Sequence, residues 1–251
     1  MIRSFINSVL AYGKALRLTN QLKLWSYFWV PVIVSIVLGV GIGWTAWTFS
    51  DEITNWLVDL YPFDWGRGVV DTIAQVFGGL LIAALGFILF KALVIALASP
   101  FMSFLSEKIE RHLYQGGEAR FTVAGALSDL VRGLRIALRL VVRELTFTLL
   151  LILLGAIIPP IGILIPFAIF AVQAYYAGFG NMDFTLERHF RVKGSVAFVR
   201  RNRGLALGNG AVYLLLYLTV IGFLVALPLS TIAGATVTLK RLQKENRAAK
   251  P

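Results

Sequence analysis

The chain has 251 residues, is 58% hydrophobic and 15% charged, and has a mean hydropathy of +0.77. Soluble domains carry about 25% charged residues, so the composition excludes an ordinary water-soluble fold and points to a bilayer as solvent. There is no cysteine, which removes disulfides, thiolate catalysis and Cys-based metal sites.

The net charge of +11 does not read as a nucleic-acid footprint, because no recognised binding motif accompanies it. Segments 106–144, 183–203 and 240–251 are each net basic, while 50–71 holds five acids against Arg67. This is the positive-inside pattern of a polytopic membrane protein. Both termini are therefore expected in the cytoplasm.

Residues 1–22 predict an interfacial helix, with Phe5, Val9, Tyr12 and Leu16 at helical spacing and Lys14 and Arg17 on the other side. No cleavable signal is expected, since the first apolar run begins after residue 23 and is too long for an h-region. The first full span is expected over 24–49. Trp25 and Trp29 stand at its start and Trp44 and Trp47 near its end, roughly 27 Å apart along a helix, the separation of two interfacial belts. Gly39 and Gly43 would admit a neighbouring helix closely.

The acidic segment 50–71 reads as the external loop. A second span over 72–98 returns to the cytoplasm with Lys91 as its one charge, which either snorkels or faces a polar interior. The helix is expected to continue, kinked, past Ser99-Pro100 to about residue 115, and Gly116-Gly117 marks a turn. A basic helix follows over 123–144. Arg132, Arg135, Arg139 and Arg143 fall on one face, either to attract anionic headgroups or to present guanidinium forks to an oxyanion.

Two uncharged stretches complete the chain before a basic tail at 240–251. Hairpin 1, residues 145–182, is broken at Pro159-Pro160; hairpin 2, residues 205–239, is expected to break at Pro228. Their short legs, 145–158 and 229–239, favour re-entrant hairpins over full spans. Broken helices at membrane depth must be covered by protein or line a cavity, so the tips point to oligomer contacts or a permeation path. The fold class is thus all-α: a single polytopic membrane domain of two full spans and two Pro-broken hairpins.

Several motifs share a pattern. Ser99-Pro100-Phe101 is followed by Leu105, Glu107, Glu110 and Leu113; Asp183 and His189 stand six apart, followed by Arg201 and Arg203; Asp129 precedes Arg132 by three. With the Pro-rich hairpin tip, these resemble the CysZ family of bacterial sulfate permeases, whose superfamily includes eukaryotic endoplasmic-reticulum proteins linked to autophagy. The resemblance implies two full spans with two hemi-penetrating hairpins, homo-oligomers of inverted protomers, and sulfate passage without nucleotide hydrolysis. Where that family carries a Gly-hydrophobic-Arg run, this chain has Lys23-Leu24-Trp25, and Thr185 stands where proline is usual.

An anion path is expected to use Lys23, Arg111, Arg132, Arg135 and Arg139, with Glu107 and Glu110 pairing some of the arginines. Lys23 offers a point charge beside a helix start, not a bidentate fork. Asp183 and His189 are expected to tie the inter-hairpin loop together. No metal or other cofactor is expected, since His112 and His189 stand far apart without paired carboxylates. No GxSxG, HExxH or GxxxxGK[ST] run occurs, so neither an enzyme nor an ATP-driven pump is expected. The expected function is an inner-membrane anion channel or permease for an inorganic oxyanion, most plausibly sulfate. The alternative is a non-transporting membrane scaffold or envelope-homeostasis protein.

Overall fold

A computed structural model describes residues 1–48, 69–114 and 123–248. The expected external loop lies outside the described residues up to position 68, as does the Gly116-Gly117 turn; so do the side chains of Lys91 and Asp129. Eight α-helices make up the described chain: α1 (Ile2–Gln21), α2 (Trp29–Thr48), α3 (Val69–Tyr114), α4 (Val123–Ile157), α5 (Ile165–Leu186), α6 (Val192–Arg201), α7 (Arg203–Tyr217) and α8 (Val220–Ala248). Short 3-10 turns at Leu24–Phe28 and Pro159–Leu164 join α1 to α2 and α4 to α5.

The molecule is built around α7. Gly178 of α5 and Gly210 of α7 meet backbone to backbone: a Cβ on Gly178 would overlap the Ala206 carbonyl, and one on Gly210 the Ala174 carbonyl. On its other side α7 receives α1. A Cβ on Gly204 would come 2.5 Å from the Met1 carbonyl, and one on Gly208 2.5 Å from that of Phe5. Small residues at every second position therefore let two helices close on α7 from different sides. Buried polar bonds fix the register. Tyr12 donates to the Asn209 carbonyl (2.7 Å) and Ser8 to that of Leu205 (2.8 Å), while the Asn209 amide receives a bond from Asn181 (2.9 Å) and donates to the Ser230 carbonyl (3.0 Å).

This docking changes the reading of α1. Its buried face is Ser8, Ala11, Tyr12, Ala15, Leu18 and Thr19, and Phe5 and Leu16 are exposed beside Ile2, Ile6 and Leu10. The expected stripe shares only Tyr12 with that face, because the glycine-lined partner draws in the side of α1 that carries Ser8, Ala11 and Ala15.

Helix α3 runs through Pro100 without a break. Proline removes the donor that would bond the carbonyl four residues back, and the Ser99 hydroxyl donates to that carbonyl, Ala96 O, at 2.7 Å. The basic helix and the first leg of hairpin 1 form one continuous helix, α4, which ends where expected, at Pro159-Pro160.

Hairpin 2 turns elsewhere. Pro228 lies inside α8, and the chain reverses at Leu218-Thr219. Thr219 is the reason: its hydroxyl oxygen accepts the Gly222 N–H at 3.0 Å and donates to the Leu216 carbonyl at 2.9 Å, capping the new helix. Gly222 is required there, since a Cβ would overlap the Leu216 carbonyl. The second leg, from Val220 to Leu239, is thus about 20 residues, or roughly 30 Å, and not the short leg expected.

Outward-facing residues are large and apolar. Trp29, Ile33, Val37, Val40 and Trp44 on α2, and Ile157, Ile163 and Phe167 around the hairpin 1 tip, are each at least 57% exposed. Two stretches, Leu24–Trp44 and Pro160–Leu186, are long and apolar enough to cross a bilayer. The first matches the expected first span; the second is the returning leg of hairpin 1.

Candidate functional site: the charged end of the bundle

The carboxyl-terminal part of α3 puts Ser103, Ser106, Glu107, Glu110 and Arg111 on one side by their three- and four-residue spacing. It faces the end of α5, where Asp183, Thr185 and Glu187 lead into Arg188 and His189. A helix end leaves carbonyls without intrahelical partners and favours cations. Arg188 answers both needs. Its guanidinium donates to the carbonyls of Phe184 (2.9 Å) and Ser103 (3.2 Å), to the Ser106 hydroxyl (2.6 Å) and to Glu110 (3.0 Å). Ser106 passes its own proton to the Phe184 carbonyl at 2.8 Å, and His189 Nε2 lies 2.9 Å from Glu110. Arg111 pairs within its own helix, 2.6 Å from Glu107.

A second knot holds α4 to the same helix end. Arg132 donates to Asp183 (3.2 Å), to the Phe190 carbonyl (3.0 Å) and to Ser195 (3.0 Å), and stands 3.8 Å from Glu187. Asp183 and Glu187 are nearly fully enclosed, at 7% and 8% side-chain exposure, against 18% for Arg132. A cavity of about 70 Å³ beside them is lined by Ser99, Glu144, Asn181, Asp183 and Glu187, and carries carboxylates but no cation.

Around Glu110 the electrostatics are mixed. Burial pushes its carboxyl up, but the hydrogen bonds from His189 and Arg188 and the Arg188 charge together outweigh that and hold it below the usual range.

The expected site residues therefore divide. Glu107 and Arg111 meet each other, Glu110 meets His189, and Asp183 meets Arg132. Arg135 and Arg139 are exposed on α4, so the arginine row splits at Arg132, whose neighbour Gly133 packs on Ser99 and turns that end of the helix inward. Lys23 stands apart at the α1 exit. Its backbone is left-handed, φ 52°, the only such non-glycine residue among those described. A glycine would adopt that conformation without strain.

Sequence reasoning missed Arg188, Ser103, Ser106 and Ser195. Arg188 sits inside the Asp183–His189 motif, and the two serines precede Glu107 and Glu110 by helical spacing; those were the available signals. Three arginines in the two knots face four carboxylates, so the cluster is a closed set of ion pairs. Chemically it can hold three helices and the inter-hairpin segment together. An oxyanion entering it would have to displace a carboxylate. Among the described residues no group of His, Asp and Glu converges in a metal-holding arrangement.

A helical bundle with large apolar residues over its outer face, two stretches long and apolar enough to span a bilayer, and a charged end has the make-up of an α-helical membrane protein. The family model described as sulfate transporter CysZ/etoposide-induced protein 2.4 matches residues 11–229, from within α1 to just past Pro228, and the chain belongs to that family. Membrane transport of the sulfate-transporter kind is the function this membership supports.

Proposed function

We propose that the protein is an oxyanion channel or permease of the bacterial inner membrane, with sulfate as its cargo and no ATP hydrolysis or other catalysis. Family membership across residues 11–229 carries the reading. Both termini are cytoplasmic, as the basic segments suggest. The hairpins penetrate part-way, and a second copy of the chain covers their tips, since lipid cannot satisfy broken backbone. Lys23, Arg135 and Arg139 are the cations that meet the anion, while Arg111 stays paired with Glu107. Arg132 positions the helix ends, with Glu107 and Glu110 as the supporting carboxylates.

Radiolabelled sulfate flux into proteoliposomes tests this. Lys23→Ala is expected to lower the initial rate several-fold at low sulfate, and Arg135→Ala/Arg139→Ala to do likewise, in protein that elutes as the wild type does. Absence of flux for sulfate, phosphate and chloride from folded, oligomeric protein would overturn the reading.

One observation favours a non-transporting scaffold instead: the part-buried guanidiniums of Arg132 and Arg188 are bonded by protein partners. Under that reading the same assay gives no flux, and Arg132→Ala lowers oligomer yield.

A further inference from the structure

Three arginines that the charged knots leave out converge elsewhere. Arg143 near the base of hairpin 1, Arg200 at the end of α6 and Arg203 at the start of α7 line one open cleft of about 660 Å³. Its walls are Phe147, Val172, Tyr175, Phe179, Val196 and Leu207, and no carboxylate lines it. Elsewhere at this end the guanidiniums of Arg111, Arg132 and Arg188 each face an acid within 4 Å. Here Arg203 instead donates to the Arg200 backbone carbonyl at 3.1 Å, which holds the Arg203 side chain at the helix junction that carries Arg200. Like charges gathered in one cleft repel, and an anion bonded by planar forks relieves that.

The setting identifies the anion's chemistry. The cleft opens where the charged base of α4 gives way to its apolar leg. Phe147 lines it, and Leu150 and Leu154 follow on the same helix face toward the tip, exposed at 48%, 55% and 41%. A ligand that fills both parts is an amphiphile: an anionic head among the arginines and hydrocarbon along Phe147, Leu150 and Leu154. We propose that the Arg143–Arg200–Arg203 cleft is a binding site for the phosphodiester head of an anionic phospholipid, whose acyl chain lies along the outer face of hairpin 1. Its test reads lipid binding directly and does not depend on transport.

The experiment uses the full chain in detergent, with native mass spectrometry reading bound phosphatidylglycerol against phosphatidylcholine of equal chain length. The triple variant Arg143→Gln/Arg200→Gln/Arg203→Gln is expected to weaken phosphatidylglycerol binding on the order of 100-fold, about fivefold per charge. The control removes three charges from the same segment outside the cleft, Arg191→Gln/Lys193→Gln/Arg201→Gln, and is expected to keep the preference. Arg200→Gln alone, at an exposed position, gives a graded loss should the triple variant elute abnormally. Equal weakening in control and test variants, or no preference for phosphatidylglycerol, would overturn the proposal. Release of the lipid by millimolar inorganic phosphate or sulfate, which then occupies the arginines itself, would overturn the lipid as source and leave a free oxyanion site.

Discussion

Glu110 shows how little of a charged residue's role is visible from its own neighbourhood. Its spacing from Arg111 and Glu107 was plain in the sequence, but its partners Arg188 and His189 lie 78 and about 79 positions away and were brought to it by the α3–α5 crossing. Because its folded pKa is held below the unfolded value of about 4.3, it adds stability above that pH and loses the contribution as pH falls through the lower folded value. Thermal unfolding in micelles should therefore show wild type above Glu110→Gln at pH 6, with the gap closing below about pH 4. A gap unchanged down to pH 3 would remove the ion pairs from the explanation. Lys23 gives an opposite lesson. Nothing local announces its left-handed backbone, and Lys23→Gly should raise stability by about 1 kcal/mol in chemical unfolding while lowering sulfate flux.

Elements were legible where a breaker acts alone and illegible where a cap competes with it. Pro159-Pro160 ends α4, as two adjacent prolines must. Pro228 does not end α8, because the chain had already reversed at Thr219, nine residues earlier, under a side-chain cap. Pro100 likewise passes through α3 with Ser99 taking up the carbonyl it orphans. Glycines divide in the same way. Gly178 packs its backbone on Ala206, so Gly178→Ala should destabilise by about 3 kcal/mol. Gly13 has open space around its Cβ position within α1, so Gly13→Ala should stabilise by about 0.5–1 kcal/mol. Denaturant unfolding of the two variants checks both signs; equal effects would refute the crossing.

At the scale of the whole molecule, the interior combines large apolar residues such as Met102, Ile109, Phe198 and Ile232 with small and polar ones, and large apolar residues also cover the outside. Ser8, Thr185, Asn209, Ser230 and Thr238 are all buried, while Trp44, Ile157 and Phe167 are all more than 70% exposed. In water such a surface would aggregate; in lipid it is the solvated face, and the closest helix crossings use small residues and hydrogen bonds beside the apolar core. How deep the hairpins go can be read chemically because the chain has no cysteine. Ile161→Cys at the hairpin 1 tip should resist a membrane-impermeant maleimide in both right-side-out and inside-out vesicles, and Lys193→Cys, between the hairpins, should react in inside-out vesicles. Labelling of Ile161→Cys before detergent is added would replace part-way hairpins with full spans.

Composition, hydropathy and the proline pair determined by themselves that this is an all-helical membrane protein with a hairpin at Pro159-Pro160, because bilayer solvation and the loss of a backbone donor act locally. The family motifs were also local, and the match over residues 11–229 agrees with them. Only the tertiary structure decided that α1 docks by its small face on α7, that Arg132 and Arg188 turn inward to carboxylates, and that Arg143, Arg200 and Arg203 are left together in one cleft. Each depends on helices distant in sequence meeting at glycine-permitted distances, and no local period encodes which faces will touch.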